Sequence, residues 1–385
     1  MKDSDEAFRS FRIRGMKRII LAFLSTASFF IMTNQVMAQI DSGLKFKGDF
    51  RLRYENTNNI QFVTSRSDVN NNRHREVVRF RASMTKQMSE YLTFGTRLAS
   101  GSREDPNTAD VTLGQFVDDI QIGLDQAFLS YKKDGLFFTG GKFSNPFMKT
   151  DLVWDGDVNP QGVTAGYAST GSGNASAKIT GIYSIVDERT LVSDSYMTGG
   201  QIQLGVKAGE NASLTFAGAY YDYTIKSLSN ADAGDTRSNF LNADETGYLS
   251  DFDLLDFIVS LEYRGAGEKT PIRFVGDFVK NRGAVNDEDS GIMLDLFVGR
   301  ASQKKDVRVR YGYSQTDTDA VFAAFSNDNT TIATNYQQHT VTCEYVALEN
   351  TIFNLTWYIH RRNKVPEGVD NEFISRLRLN AVVKF

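Results

Sequence analysis

From Leu44 to Glu55 the chain alternates without a break. Leu44, Phe46, Gly48, Phe50, Leu52 and Tyr54 hold the even positions, and Lys45, Lys47, Asp49, Arg51, Arg53 and Glu55 hold the odd ones. A period of two sends the two sets to opposite faces of a β-strand. One such strand would suit a soluble sheet equally well. The constraint comes from repetition, because about sixteen segments carry the pattern. They are roughly 44–55, 74–86, 91–100, 119–132, 135–143, 160–169, 175–186, 196–208, 212–223, 252–264, 271–281, 290–300, 306–315, 338–348, 351–361 and 373–385. In one of them Leu255, Phe257, Val259, Leu261 and Tyr263 oppose Asp256, Ser260, Glu262 and Arg264; in another Val307, Val309, Tyr311 and Tyr313 oppose Arg308, Arg310 and Ser314. Each segment is about ten residues long, enough for a tilted strand to cross a bilayer.

The connections sort into two kinds. Short turns follow the even-numbered segments, among them Met88-Ser89-Glu90, Lys133-Asp134, Gly209-Glu210-Asn211 and Leu348-Glu349-Asn350. Long polar loops follow the odd ones, including 56–73, 101–118, 144–159, 224–251 and 316–337. A β-sandwich has no reason to sort its connections this way, whereas a transmembrane barrel does, with the short turns periplasmic. The expected fold is therefore all-β: a transmembrane antiparallel up-and-down barrel of about sixteen strands, with both termini in the periplasm of an outer membrane.

Bulk composition agrees. Helical spans would need several apolar runs of about 20 residues, and the one apolar run of note lies near the N-terminus. The mean hydropathy of -0.34 looks soluble, but alternation averages away the apolar half of a barrel. A content of 28 Phe, 16 Tyr and 31 Gly against 5 Pro favours strands. The single cysteine, Cys343, excludes an internal disulfide and a thiolate cluster, and suits a small lipid-facing hydrophobe. His74, His339 and His360 have no metal-ligand spacing, so no metal and no cofactor is expected. A net charge of -4 gives no reason to expect nucleic acid.

The first residues read as an export signal, 1–38, ahead of a mature barrel over 39–385. Lys17 and Arg18 precede the apolar stretch Ile19 to Met32, and Val36-Met37-Ala38 offers a cleavage site before Gln39. Met1 to Gly15 is charged and atypical, which makes Met16 an alternative start. An N-terminal membrane anchor is the competing reading, and the apolar run is short for it.

At the other end Leu377, Leu379, Ala381, Val383 and Phe385 share one face, while Arg376, Arg378, Asn380 and Lys384 share the other. A chain ending inside a strand on an aromatic residue looks like the C-terminal signal read by the barrel assembly machinery, with Phe385 as its last residue. Closing a barrel pairs the last strand with the first. Arg51, Arg53, Arg79, Arg81, Arg376 and Arg378 should then form one basic wall facing the pore, and such a wall favours anions. Alternatively the arginines pair with Asp49, Glu55, Glu262, Asp277 or Glu344 and select nothing.

The stretch from Gly140 to Pro160 contains Phe147, Leu152, Val153 and Trp154, apolar anchors that a solvated loop would not need, between two Asn-Pro steps. It reads as a constriction loop folded into the lumen, with Asp151, Trp154, Asp155 and Asp157 at the narrowing and the three aspartates facing the arginines across it. Calcium binding at Asp155 to Asn159 is an alternative whose spacing falls short of an EF-hand loop. A plain surface loop is the other.

The strand Phe46 to Glu55, the strand Leu124 to Tyr131 and the series Gly140-Gly141-Lys142, Asn145-Pro146-Phe147, Thr150-Asp151-Leu152-Val153-Trp154-Asp155 and Asn159-Pro160-Gln161-Gly162-Val163 together resemble the bacterial "putative porin" family of outer-membrane proteins. The resemblance implies a passive diffusion channel for small hydrophilic solutes and a homotrimer set among outer-membrane lipid and lipopolysaccharide. It names no solute. A substrate-selective channel for phosphate, organic acids or anionic sugars is the main alternative. A barrel-embedded enzyme would need a nucleophile, base and orienting group held together, and no Ser or His here falls in such a motif. Adhesion is a third alternative, disfavoured by loops of modest size.

Overall fold

The computed structural model describes residues 43–59, 72–102, 107–169, 173–231 and 238–385. The expected signal 1–38 and the Met16 start therefore lie outside the described residues, as do parts of four expected connections: the loops 56–73, 101–118 and 224–251, and the short turn 170–174 between the segments 160–169 and 175–186.

The described strands are β1 (Leu44–Asn58), β2 (Asn72–Gln87), β3 (Leu92–Ser100), the two-residue β4 (Val111–Thr112), β5 (Ile122–Lys133), β6 (Leu136–Lys142), β7 (Gln161–Ala168), β8 (Ala175–Asp187), β9 (Ser195–Ala208), β10 (Ala212–Thr224), β11 (Phe252–Tyr263), β12 (Ile272–Asn281), β13 (Ser290–Gly299), β14 (Val307–Thr316), β15 (Tyr336–Leu348), β16 (Thr351–Arg362) and β17 (Ile374–Lys384). Each long strand pairs with its neighbours in sequence, and β17 returns to pair with β1. The sheet is thereby closed, a sixteen-strand antiparallel barrel with β4 as a small addition pairing with β2 inside a loop. Closure satisfies the edge hydrogen bonds that an open sheet would leave exposed to lipid.

Alternation sets which face each residue takes. Phe257, Leu261 and Tyr263 point outward at 42–48% exposure, while Asp256 and Ile258 between them are 1% exposed inside. Cys343 faces outward, in register with Val309 and Leu355. The tight β5–β6 hairpin turns on Asp134 and Gly135, at φ 49° and 86°. Two positive-φ residues match the right-handed twist of the flanking strands, which is why Asp-Gly suits the position.

The seam explains the one break in the first strand's apolar set. Gly48 and Phe385 exchange backbone hydrogen bonds of 2.7 and 3.0 Å. The Phe385 ring lies over Gly48, where a Cβ would come within 2.4 Å of it and 2.5 Å of the Arg81 carbonyl oxygen, and it stacks on Phe80 at 6.3 Å.

Candidate functional site

The inward faces of β1, β2 and β17 carry the arginines. Strand closure makes these three strands neighbours, and Arg51, Arg53, Arg79, Arg81, Arg376 and Arg378 all stand on this sector together with Arg75. They are paired rather than bare. Glu55, 1% exposed, accepts from Arg75 Nε at 2.7 Å and Arg378 Nε at 2.7 Å, with Arg376 Nε at 3.6 Å. Asp49 holds Arg79 and Arg81, each at 2.8 Å. Asp110, from the loop after β3, pairs with Arg51 and Arg53. Burial opposes its charge, but the two guanidiniums outweigh that and hold the Asp110 pKa below the usual carboxylate value. Asp157 completes the set, 2.8 Å from Arg81 and 3.8 Å from Arg79. Among the described residues these seven arginines pair with four carboxylates, and Asp328 adds a fifth negative charge near Arg378, so positive charge is in excess there.

Residues 143–160, between β6 and β7, lie inside the barrel against the opposite wall. Leu152, Val153 and Trp154 are at most 2% exposed and share one apolar cluster with Met197, Tyr221, Tyr223, Phe252, Leu254 and Met293 of β9 to β13. Polar contacts fix the register of the loop on that wall. Met148 N–H donates to Gln201 Oε1 and Gln201 Nε2 donates to the Met148 carbonyl, both at 2.8 Å, while the Thr150 hydroxyl donates to Asp277.

The three aspartates expected to face the arginines do not act alike. Only Asp157 reaches them, and it does so by direct contact rather than across a gap. Asp155 is 5% exposed and its Oδ1 accepts the Asp157 N–H at 2.7 Å, so its carboxylate serves the turn. Burial, with Asp328, Asp151 and Asp157 close by, raises the Asp155 pKa well above the carboxylate range. Asp151 accepts from Asn329 Nδ2 at 3.2 Å. The reason is local: Trp154 is packed between Tyr221 and Tyr223 of β10 and Phe325 of a second loop, and the carboxylates beside it are taken up by loop partners, Asp155 by the Asp157 N–H and Asp151 by Asn329. Lys149 neighbours these aspartates, and burial lowers its pKa.

A second loop overturns an expectation. Residues 317–335, within the stretch 316–337 read from sequence as a long polar loop, run inside the barrel. Asp319, Ala320, Val321 and Ala323 are 0% exposed and Phe322 is 4%. Phe322 packs on Tyr223, Tyr248, Phe252 and Phe325 with centroids 4.9–5.5 Å apart, and Trp154 stacks on Phe325 at 5.6 Å. Asn239 Nδ2 donates to the Thr318 and Val321 carbonyls, and Asn281 Nδ2 to that of Asp319. The run Ala320-Val321-Phe322-Ala323-Ala324-Phe325 is apolar enough to have signalled this. At the far end of the loop Asn329 meets the arginine sector, accepting from Arg376 Nη1 at its carbonyl (3.0 Å) and from Arg378 Nη1 at Oδ1 (2.9 Å).

The two loops pack on the inner wall from β8 to β13. Space remains beside them in a cavity of about 330 Å³ along β14 to β17 and β1, into which Arg51, Arg53 and Arg378 face, and in one of about 740 Å³ along β5 to β8, lined by Ser130, Thr139, Thr164 and Lys178 with Phe143 and Pro146 of the first loop. Among the described residues no group of three or more His, Cys, Asp or Glu is placed to hold a metal ion. His360, 0% exposed, approaches the Thr331 hydroxyl at 3.1 Å.

Among solved structures, a variant of Rh. blastica porin aligns at 11% identity over 89% of this chain and all of its own, with a TM-score of 0.46. A chain from work on asymmetric conductivity of engineered proteins aligns at 10% identity over the same shares, with a TM-score of 0.49. No curated protein matches. Residues 55–246, from β1 to the loop beyond β10, match the family described as "putative porin". The chain belongs to that family and is a porin channel, a closed β-barrel of the bacterial outer membrane.

Proposed function

We propose that the chain forms a water-filled channel for passive diffusion of small hydrophilic solutes, with a preference for anions. One observation carries the preference: among the described residues seven lumenal arginines outnumber the carboxylates near them, Asp49, Glu55, Asp110, Asp157 and Asp328, leaving positive charge beside the cavity along β14 to β17 and β1. In a narrow aqueous passage with low-dielectric walls such an excess lowers the barrier for anions and raises it for cations. Arginine suits the role because it keeps its charge when partly buried.

In this reading residues 1–38 direct export, both termini lie in the periplasm on the short-turn side, and the barrel works as a homotrimer. Phe385 is the assembly signal. A Phe385→Ala chain should accumulate outside the membrane, and normal insertion would remove that role. The channel reading is tested in planar bilayers under a salt gradient. Stepwise conductance with a reversal potential toward the chloride side is expected. Cation preference would end the anion reading, and absence of conductance would end the channel reading.

A further inference from the structure

A second basic group faces the lumen across from the first. Arg273 on β12 and Arg308 and Arg310 on β14 surround Phe297 of β13, their guanidinium carbons 4.4, 5.7 and 5.6 Å from its ring centroid. Stacking on an aromatic face fixes the plane of a guanidinium and leaves its N–H edge available. Arg310 is held by Asp295 at 2.8 and 2.9 Å, and Arg308 by Glu344. The cavity of about 330 Å³ lies between the two groups. Among the described residues six cations line it (Arg51, Arg53, Arg308, Arg310, Arg378 and Lys384), against one carboxylate, Glu344.

The floor between the groups offers donors. Tyr358 is 9% exposed, lies 5.2 Å beneath the Arg378 guanidinium, and its hydroxyl makes no hydrogen bond among the described residues. Arg51 Nε, unlike that hydroxyl, is fully buried and has no partner among the described residues. An acceptor on a bound solute would give the Tyr358 hydroxyl a hydrogen bond that the described residues do not supply. The volume sits at the small end of the roughly 300–1,000 Å³ usual for small-molecule sites, so one compact solute fits and an oligomer does not.

The spacing of the two basic groups narrows the chemistry. Four inter-strand steps of about 4.8 Å separate β14 from β1. A compact ion such as phosphate meets one group at a time, whereas an anion with charge at both ends meets both. Planar guanidinium edges match carboxylates in paired N–H···O contacts. We propose that this cavity binds a small dicarboxylate. One carboxylate lies at Arg308 and Arg310, the other at Arg51, Arg53 and Arg378, and the Tyr358 hydroxyl donates between them. The proposal deepens the channel reading and rests on it for the route by which the solute arrives.

Calorimetric titration of the folded full chain in detergent, with succinate, acetate and inorganic phosphate in turn, reads the site without current. Succinate should bind saturably, and acetate and phosphate at least about tenfold more weakly, since each loses contacts at one group. Tyr358→Phe should weaken succinate by about tenfold, as for a lost hydrogen bond to a charged group. Arg308→Gln, on the opposite side, should weaken it comparably while leaving acetate nearly unaffected. Phosphate binding as tight as succinate, absence of saturable succinate binding, or wild-type affinity in both variants would overturn the proposal. A chain that binds succinate but passes no current keeps the site and loses the channel; one that conducts without binding succinate does the reverse.

Discussion

Replacing Phe322 by alanine should release the second inward loop. The ring is 4% exposed and touches four aromatic neighbours, of which Tyr223 and Phe252 belong to the wall and Phe325 leads on to Trp154. Truncating a buried Phe to Ala costs about 3–5 kcal/mol. Here most of that falls on the docked state of the loops, because the barrel's backbone ladder does not depend on this side chain. Opening should then become more frequent by at least about a hundredfold, at tenfold per 1.4 kcal/mol. Hydrogen exchange followed by mass spectrometry supplies the assay. The Asp155 amide, which donates to the Phe325 carbonyl at 2.8 Å across the two loops, is the reporter. Trp154 emission should shift to the red as its pocket opens, while Trp357 on the lipid face, at 45% exposure, serves as an internal control. Unchanged exchange over residues 150–158 and 317–334 in Phe322→Ala would refute the claim that the aromatic cluster holds the loops inside.

Two further perturbations test the charged half of the lumen. Glu55→Gln removes the carboxylate shared by Arg75, Arg376 and Arg378 and leaves their charges opposed. Breaking a buried pair in this way should cost about 3–5 kcal/mol, read as a lower urea midpoint of the folded chain in lipid vesicles. Asp155 makes loop docking depend on pH. Its pKa is raised in the folded state by burial and by Asp328, Asp151 and Asp157, so its contribution is fully present at low pH and is lost as pH rises through the folded value. The protection factor of the Asp155 amide, with the intrinsic pH dependence of exchange divided out, should fall as pH is raised from the acidic range, and Asp155→Asn should flatten that profile.

The barrel was legible because its signal is local and repeated. A period of two fixes the face of each residue, and short turns against long loops fix the direction of each strand. Adjacency of β1, β2 and β17 followed from closure alone, which put Arg378 beside Glu55 across most of the chain. The docked loop at 143–160 was readable from Leu152, Val153 and Trp154, since apolar anchors have no use in water. The same logic applied to Val321, Phe322 and Phe325, but the polar residues around them masked the run. Least legible were the partners. Asp110 meets Arg51 and Arg53 from a loop nearly sixty residues away, and no periodicity brings such a loop into the lumen. Arg273 was missed for a related reason: its place beside Phe297 depends on which strands neighbour the cavity, not on its own segment.

Passage along the sector of β14 to β17 and β1, beside two docked loops, is the claim on which the rest depends. Thiol modification during current recording tests it directly. In a Cys343→Ser background, Asn354→Cys places a thiol on the cavity floor, and Ala320→Cys places one within the docked second loop, where exposure is 0%. An anionic methanethiosulfonate reagent should lower the current in steps through Asn354→Cys and leave Ala320→Cys untouched. Block at Ala320→Cys with none at Asn354→Cys would put the passage on the other side of the lumen and contradict the account.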